Sequence, residues 1–462
     1  MIFFILIAAL ILRLILINQS FWLDEAIQVL ESRLSFFEVW KIPADFHPPL
    51  FHYLGHFWLI LGNSEWVLRM LPLLLGLGSI YFLYLQAKIM FGTKTANFAA
   101  VFLTTSAFHI YYSQEFRPYM LACFLATASY YFFIKFIERK KLSLAYITVN
   151  ILGLYSLYFF PFVLLSQAAV IIFIYRKKLL LWLVCLLASL FFFIPWLPMF
   201  FKQLKVGSGW TINQVWAESV ATPLYKVLPL LFIKFWLGNI SFDNEIIYGL
   251  IGISLLLLTL IILSKIVYNK DKKTVSVLIF LLIPIIASFM VSFFVPVIAP
   301  KRLLIVLPQF YLLLAFAIAK FPKKIAEFLA ALVISINLCA LLIFVFNSRF
   351  HREDWRKAVS WSENNCSGNK SIVLFKFYGP FGPWTYYADK KIQTGSIFEN
   401  NSFVETSMLL LTADKKNICL FDYLGAMTDP GHRVEQWLDA NGFTLKKTTD
   451  FNGVGFIYSY VK

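Results

Sequence analysis

Long apolar segments separated by short polar ones recur from the first residue to about Phe346 and then stop. Each is about 17 to 25 residues long, the length that an α-helix needs to cross a hydrocarbon core of about 30 Å. The pattern predicts a polytopic α-helical membrane protein with about eleven transmembrane helices. The expected spans are residues 2–17, 66–89, 96–112, 119–137, 142–157, 161–175, 179–200, 246–267, 274–297, 303–319 and 325–346.

Basic residues are concentrated in alternate loops between these spans. If the N-terminus is cytoplasmic, the basic loops at residues 88–94, 138–141, 176–178, 265–273 and 320–324 all lie on the cytoplasmic side, as the positive-inside rule requires. The first apolar segment ends without a small-residue cleavage site, which favours a retained helix over a signal peptide. We expect an integral plasma-membrane protein with an extracytoplasmic C-terminus.

The composition agrees with this class and excludes an ordinary soluble domain, because 60% of the 462 residues are hydrophobic and only 14% are charged. The formal net charge of +16 comes mostly from the basic inner loops, and no basic-aromatic motif accompanies it. We therefore expect membrane lipids as partners and no nucleic acid.

After Phe346 the sequence becomes mixed in polarity, which indicates a small soluble α/β domain over residues 347–462. The patterns predict helices at 354–364 and 433–441, strands at 371–377 and 417–423, and a closing hairpin around Asn452-Gly453. The expected division is a transmembrane domain, 1–346, with an outer-face loop at 18–65, followed by this domain. Cys366 and Cys419 lie in it and can form a disulfide in an oxidising exterior, although two cysteines alone are weak evidence.

Asp24 and Glu25 stand at the outer end of the first apolar segment, where carboxylates are costly to desolvate and add nothing to membrane packing. A carboxylate there can accept a proton from a substrate hydroxyl. Neighbouring helical side chains point about 100° apart, so both need not enter one site. We take Asp24 as the candidate catalytic base and Glu25 as a residue that orients it or holds the acceptor. Arg13, inside the same segment, is expected to reach the interface or an acidic partner.

Two further outer segments carry charge. The short loop between the third and fourth spans contains Glu115 and Arg117, and Lys301-Arg302 follows the ninth span. Arg binds phosphate oxygens bidentately and Lys supplies a point charge, so Arg117, Lys301 and Arg302 are candidates for holding a lipid-linked phosphate. The alternatives are a local Glu115–Arg117 ion pair and contacts of Lys301 and Arg302 with anionic lipid headgroups.

His47, beside two prolines in the first outer loop, has either a structural role or a role in contacting a metal or an acceptor. A metal cluster with His52 and His56 is a weaker alternative, because the prolines intervene. No cofactor is certain, and a divalent metal is possible. Glu115, His47 and Tyr119 are the candidates for positioning the substrate.

Four motifs appear in a fixed order along the chain: Trp22-Leu23-Asp24-Glu25, His47-Pro48-Pro49-Leu50, Gln114-Glu115-Phe116-Arg117-Pro118-Tyr119, and Arg302 at the start of a late span. Together they resemble the GT-C superfamily of membrane glycosyltransferases. The branch that contains the protein O-mannosyltransferases and the aminoarabinose transferase of lipid A is the most similar. The resemblance covers most of residues 1–346.

The resemblance implies transfer of a sugar from a polyprenyl-phosphate donor to a lipid, glycan or protein acceptor on the outer face. Asp24 stands at the position of the family's catalytic acidic residue, and direct displacement would invert the anomeric centre. The sugar, the acceptor and the prenyl chain length are left open. The alternatives are a transporter or lipid flippase, which should carry charge at mid-membrane depth, and a scaffold that presents the outer domain.

Overall fold

The computed structural model describes residues 1–42, 46–139, 142–212, 223–267, 271–295, 297–377, 381–399 and 402–462. The chain folds into two compact units. The membrane unit comprises Met1–Ile17 and Leu34–Phe346, and the C-terminal unit comprises Asn18–Arg33 and Asn347–Lys462. The chain passes from the membrane unit to the C-terminal unit after Phe346. Asn18–Arg33, which the sequence assigns to a loop of the transmembrane domain, packs instead within the C-terminal unit.

Helices dominate the described chain. In chain order they are α1 (Ile2–Leu14), α2 (Leu23–Ser32), α3 (Phe36–Val39), α4 (Leu50–Trp58), α5 (Glu65–Phe91), α6 (Thr93–Thr105), α7 (Ala107–Ser113), α8 (Tyr119–Arg139), α9 (Leu144–Leu154), α10 (Phe160–Phe173), α11 (Leu179–Phe191), α12 (Leu197–Ile212), α13 (Leu224–Leu237), α14 (Glu245–Leu263), α15 (Lys272–Val291), α16 (Leu307–Ala319), α17 (Lys323–Phe346), α18 (Trp355–Asn365), α19 (Gly382–Tyr387), α20 (Glu405–Thr412), α21 (Gly425–Thr428) and α22 (Arg433–Ala440).

The polytopic helical class is confirmed. Within the described residues, 7 helical segments are long and apolar enough to cross a membrane, and shorter apolar helices include Ile2–Leu14, Leu144–Leu154 and Phe160–Phe173. Each of the spans expected from the sequence is occupied largely by helix. Several helices start at polar caps, as expected from the unpaired N–H groups of a first turn: Ser106 accepts from the N–H of His109, and Asn244 accepts from the N–H groups of Ile246 and Ile247.

Helix α13 was not expected, because Lys226, Pro229 and Lys234 interrupt its apolar run. In the structure its buried face carries Trp236, and the Tyr311 hydroxyl donates to the Phe235 carbonyl at 2.9 Å. At 14 residues the helix is about 21 Å long, less than the roughly 30 Å of a hydrocarbon core. The helix therefore need not alter the expected order of crossings.

Arg13 in α1 is completely buried, and its guanidinium binds neutral groups rather than the acidic partner considered from the sequence. The acceptors are the side chains of Ser113 and His109 and the backbone carbonyls of Ala9, Leu103 and Thr104, at 2.7 to 3.4 Å. Leu103 and Thr104 end α6, where helix carbonyls lack intrahelical partners and carry partial negative charge. Arg13 thus stabilises the break between α6 and α7, which the sequence predicted as one span.

The C-terminal unit is built on a five-stranded sheet in the order β2-β1-β5-β7-β6. The strands of the unit are β1 (Ser371–Phe375), β2 (Gln393–Ser396), β3 (Phe398–Glu399), β4 (Ser402–Phe403), β5 (Asn417–Phe421), β6 (Thr444–Phe451) and β7 (Gly455–Val461). Strand β1 runs parallel to β2 and β5, while β7 runs antiparallel to β5 and β6. The small α/β class is confirmed, and β6 and β7 form the expected hairpin through Gly453, whose φ is +71°.

Cys366 and Cys419 form a disulfide with their Cα atoms 6.0 Å apart. Cys366 follows α18 and Cys419 lies in the central strand β5, so the bond ties the C-terminal end of α18 to the middle of the sheet. The chain between the cysteines spans 53 positions, and closing a loop of that length in the unfolded chain is worth about 4 kcal/mol in the chain-entropy account.

Candidate active site

In the membrane unit, residues from three separate loops meet. An Nη of Arg117 donates to Nδ1 of His47 at 3.3 Å, and the His47 ring stands edge-on to Tyr119 with the centroids 5.8 Å apart. The Lys301 ammonium lies over the Tyr119 ring, 5.3 Å from its centroid. The sequence singled out all four residues, and the structure connects them through these contacts. We call His47, Arg117, Tyr119 and Lys301 the cationic cluster.

The backbone around Arg117 explains why the cluster forms. Between α7 and α8 the chain makes a tight turn in which the N–H of Arg117 donates to the Glu115 carbonyl at 2.7 Å. Phe116 is fully buried and packs on Phe51, with the centroids 5.1 Å apart. Glu115 and Arg117 on either side of it are 2% and 6% exposed. The turn therefore places both charged side chains inside the unit and not on an exposed loop.

The preceding residue, Gln114, fixes this turn to the end of α1. Its Nε2 donates to the carbonyls of Arg13 at 2.8 Å and Ile15 at 2.5 Å. Beyond the end of α1, an Nη of Arg69 donates to the carbonyl of Ile17 at 2.9 Å. The last carbonyls of a helix have no partner within it, so these two side chains complete α1.

His47 is held from both sides. Because Arg117 is a donor only, Nδ1 of His47 accepts, which leaves any ring proton on Nε2. The His47 backbone carbonyl accepts from Nε2 of Gln203 in α12 at 3.5 Å, and the same amide donates to the Ile42 carbonyl at 2.9 Å. Sequence reasoning missed Gln203, because a single amide at the end of an apolar run carries no local signal.

Lys301 and Arg302 lie in a 3₁₀ turn, Pro300–Val306, and differ in their surroundings. Lys301 contacts Tyr119 of the cationic cluster. The Arg302 guanidinium lies over the Phe159 ring, 6.0 Å from the centroid, and donates to the Val297 carbonyl. Both residues remain candidates for binding phosphate, and Lys301 joins the cationic cluster through Tyr119.

An apolar groove of about 500 Å³ runs between α9, α10, α11 and α12. Its lining includes Leu154, Leu164, Trp182, Leu190, Phe193 and Phe200. Tyr158 also lines it, and its hydroxyl donates to Gln203, the residue that supports His47. The groove is thus connected to the cationic cluster through one hydrogen-bonded pair. Sequence reasoning did not anticipate the groove, because every lining residue lies in or beside a uniformly apolar segment.

In the C-terminal unit, Asp24 and Glu25 lie in the first turn of helix α2 and have different environments. Glu25 is completely buried, and its carboxylate lies 3.7 Å from Nη1 of Arg352. Asp24 is half-buried. The sequence treated the two as a pair. The structure gives Glu25 an internal ionic partner and leaves Asp24 the more accessible carboxylate.

Among the residues that the structure describes, no group of three or more His, Cys, Asp or Glu side chains is arranged to hold a metal ion. His47, the first residue of the histidine cluster considered from the sequence, directs Nδ1 at Arg117 instead.

Comparisons with known proteins bear on this arrangement. Residues 46–199 match the family model of dolichyl-phosphate-mannose-protein mannosyltransferases, a stretch that contains His47, Arg117 and Tyr119. No curated protein matches the chain at a significant level.

Two solved proteins have the same fold. ArnT from Cupriavidus metallidurans, bound to undecaprenyl phosphate, is 10% identical with a TM-score of 0.62, over 99% of this chain and 97% of that one. The archaeal oligosaccharyltransferase AglB from Archaeoglobus fulgidus, in complex with an inhibitory peptide and a dolichol-phosphate, is 12% identical with a TM-score of 0.56, over 99% and 74%. The fold extends over nearly the whole chain.

Proposed function

We propose that this chain is a membrane glycosyltransferase of the GT-C superfamily, in the branch of the protein O-mannosyltransferases and ArnT, and that it moves a sugar from a polyprenyl-phosphate donor to an acceptor on the outer face of the membrane. The fold and the match of residues 46–199 to the mannosyltransferase model support this proposal. The observation that carries the proposal is the cationic cluster, joined through Gln203 and Tyr158 to a long apolar groove. A polyprenyl phosphate has the matching chemistry, an anionic head on an apolar chain.

The cluster supports a division of roles in holding the donor. Arg117 has a planar fork of donors that suits two phosphate oxygens, and Lys301 supplies a mobile point charge. Arg302 is the third candidate for the phosphate. As the sugar–phosphate bond breaks, negative charge develops on the leaving phosphate, and fixed cations stabilise it. Glu115, His47 and Tyr119 then have the role of positioning the sugar or the acceptor.

Asp24 is the proposed base. The acceptor hydroxyl gives its proton to the Asp24 carboxylate while its oxygen bonds to the anomeric carbon. The bond from that carbon to the phosphate oxygen breaks, and the polyprenyl phosphate leaves with the electron pair. A single displacement of this kind inverts the anomeric centre and needs no enzyme nucleophile. Glu25, buried against Arg352, supports the helix that carries Asp24.

The apolar groove adds to the rate through proximity. A prenyl chain seated between helices converts a two-substrate encounter into an oriented one, and orientation of this kind can account for several kcal/mol of the barrier. The acceptor is a lipid, a glycan or a protein segment. A cytoplasmic N-terminus and an extracytoplasmic C-terminal unit, as the basic loops predict, place this chemistry on the outer face.

The proposal is tested with the full-length protein in lipid nanodiscs. Undecaprenyl-phosphate-linked mannose, glucose and aminoarabinose, each labelled in the sugar, are offered with membranes from cells that lack the protein as the source of acceptor. We expect one donor to release undecaprenyl phosphate and to pass its label to an acceptor fraction. If all three donors stay intact while labelled lipid crosses the bilayer of proteoliposomes, the protein is a flippase and the proposal is wrong.

A further inference from the structure

The segment that leads to Asp24 is bound almost residue by residue by the C-terminal unit, to which it belongs. The Asn18 carbonyl accepts a hydrogen bond from the Arg356 guanidinium, and the Gln19 side-chain oxygen accepts one from the N–H of Arg352 at 2.9 Å. The Ser20 hydroxyl oxygen accepts from the N–H of Arg356 at 3.0 Å. The N–H of Phe21 donates to the Tyr387 hydroxyl at 2.7 Å. The partners come from two short stretches that begin more than 300 positions later in the chain. The path to the proposed base is therefore set by the C-terminal unit.

Glu353 completes the N-terminus of α2. Its Oε2 accepts from the N–H of Leu23 at 3.2 Å and from Nε1 of Trp355 at 2.7 Å, and its Oε1 accepts from the Tyr423 hydroxyl at 3.0 Å. Leu23 is the first residue of α2, and Trp22 before it provides no side-chain cap. The first N–H groups of a helix have no intrahelical acceptor. Glu353 supplies one immediately before Asp24.

Arg352, the neighbour of Glu353, holds the residue after Asp24. Its guanidinium lies 3.7 Å from the Glu25 carboxylate, and the side chains are 3% and 0% exposed. A buried ion pair is costly to break, because one charge is then left without compensation. Two adjacent residues of the C-terminal unit thus bind Leu23 and Glu25, the residues on either side of Asp24.

Helix α2 also rests directly on the start of α19. A Cβ added to Gly382 would stand 2.7 Å from Cγ1 of Ile27 and 3.2 Å from the Ile27 backbone nitrogen. Both distances are shorter than ordinary contacts. Gly382 therefore allows an approach that no larger residue permits without moving α2.

We propose, on the basis of the function proposed above, that Arg352 and Glu353 are positioning residues that hold helix α2 so that Asp24 faces the acceptor. Glu353 acts through its hydrogen bonds to Leu23 N–H, Trp355 and Tyr423, and Arg352 acts through Glu25. The C-terminal unit then contributes to catalysis, because it carries Asp24 and the residues that position it.

The electrostatics of Glu353 agree with this arrangement. Burial raises the pKa of Glu353, and the negative charge of Asp24 raises it further, whereas the hydrogen bonds from Trp355, Tyr423 and Leu23 lower it. Glu353 and Asp24 are therefore close enough to affect each other. Asp24 also raises the pKa of Tyr423, after burial and Glu353 as the larger causes.

Three variants of the full-length protein separate positioning from simple stability. Glu353→Ala removes every hydrogen bond to Leu23, Trp355 and Tyr423. Glu353→Gln can keep them, because its carbonyl accepts and its amide donates to the tyrosine oxygen. Asp354→Ala is the matched control, since it removes a neighbouring carboxylate that caps α18 at Lys357. The readouts are kcat and KM for the undecaprenyl-phosphate-linked donor, and amide hydrogen exchange of α2.

We expect Glu353→Ala to lower kcat by about 10- to 100-fold with little change in donor KM, since a small misplacement of a reacting group has effects of that size. Exchange at the first turn of α2 should rise. Glu353→Gln and Asp354→Ala should keep both values near wild type. An unchanged kcat and unchanged α2 exchange in Glu353→Ala would overturn the proposal. Equal losses in the Ala and Gln variants would also overturn it, because charge and not hydrogen bonding would then be responsible.

Gly382→Ala provides an independent test if Glu353→Ala does not fold. We expect lower kcat and faster exchange in α2, and partial recovery of both in the Gly382→Ala, Ile27→Ala double variant, where the nearest clashing atom is removed. Gly431→Ala is the control, because its new Cβ would meet only Cγ of Arg433 at 3.8 Å. A Gly382→Ala protein with wild-type kcat and exchange contradicts the proposal. The exchange readout does not require turnover, so a wild type that consumes no donor refutes the proposed function alone.

Discussion

The two units treat buried positive charge in opposite ways. In the membrane unit, Arg13 is completely buried and its five N–H groups meet only neutral acceptors. In the C-terminal unit, the side chain of Lys376 is completely buried. Its ammonium forms ion pairs with three carboxylates, those of Asp422, Asp429 and Glu435, at 2.5 to 3.4 Å. The buried charge of Arg13 is therefore not neutralised by its hydrogen-bond partners. The buried charge of Lys376, by contrast, is surrounded by more negative charges than it can neutralise.

The groups proposed to carry the chemistry are also divided between the two units. The cationic cluster sets Arg117 against an imidazole and Lys301 against an aromatic ring. The first turn of α2 gathers the carboxylates of Asp24, Glu25 and Glu353, and Arg352 faces one of them. A phosphate-binding group and a general base need charges of opposite sign. The chain builds these two groups in different units.

The largest expected effect belongs to Asp24. Asp24→Asn keeps the size of the side chain but removes the base, and general-base catalysis typically contributes about 10²- to 10⁴-fold to a rate. We expect kcat to fall by that factor with donor KM nearly unchanged, measured as release of undecaprenyl phosphate. Glu31→Gln, on the same helix, should keep the wild-type rate. Full activity of Asp24→Asn would show that Asp24 is not the base. The proposal that one unit supplies the phosphate-binding cations and the other supplies the base would then be wrong.

Lys376 tests whether the cation of the C-terminal unit is structural. Lys376→Met leaves three carboxylates around an apolar side chain, and breaking a buried ion pair typically costs about 3 to 5 kcal/mol. We expect faster hydrogen exchange in β1 and β5, while donor KM of the folded fraction stays unchanged. The control is Lys357→Met, because the Lys357 side chain is 77% exposed in its pair with Asp354 and loss of this pair should cost no more than about 1 kcal/mol. Equal exchange in the two variants would contradict this assignment.

Arg117 tests the opposite region. Arg117→Ala should raise donor KM by about 10- to 100-fold, since hydrogen bonds to charged groups contribute roughly 1.5 to 3 kcal/mol. Arg117→Lys should give an intermediate KM, because it keeps the charge but loses the bidentate fork. Lys94→Ala, an exposed cation that donates to the Ala319 carbonyl, is the control. If KM is unchanged in Arg117→Ala, then Arg117 serves only to hold His47.

The membrane helices could be predicted because their signal is local. A run of apolar residues specifies a span without reference to the rest of the chain. The errors arise where that signal is interrupted or incomplete. Lys226 and Lys234 concealed α13, and the break between α6 and α7 depends on Arg13, which lies about 90 residues earlier.

The candidate site divides in the same way. His47, Arg117, Tyr119 and Lys301 could be selected because each lies in an outer loop or at the outer end of a span, on the face that the topology assigns to all of them, and they meet in the structure. Their roles remain predictions. Gln203 could not be selected, since a single amide at the end of an apolar run forms no pattern.

The environment of Asp24 was out of reach for a different reason. Its helix depends on Arg352 and Glu353, and the Leu23–Glu353 hydrogen bond joins residues 330 positions apart. No local pattern encodes such a pairing. The stretch Asn18–Arg33 therefore read as a loop of the transmembrane domain, although it packs as part of the C-terminal unit.

The smallest expected effect concerns Glu353 and is a dependence on pH. Burial, with Asp24 nearby, raises its pKa above the ordinary value of 4.5, so the folded protein holds this proton more tightly than the unfolded chain. Below pH 4.5 both states are protonated and burial of the group has no ionic cost. As the pH rises through 4.5 toward the folded-state pKa, the unfolded state ionises first, and the folded state loses stability.

Glu353→Gln lacks this titration. Its Tm minus that of wild type should therefore increase as the pH is raised from 4 to 8, with Glu405→Gln as the exposed control for the loss of one carboxylate. A difference that stays constant or decreases with pH would mean that the C-terminal unit accommodates the Glu353 charge without cost. The two units would then differ only in which charged residues they bury. Burying the negative charge of Glu353 near the start of α2 would cost no more stability than burying the positive charge of Arg13 in the membrane unit.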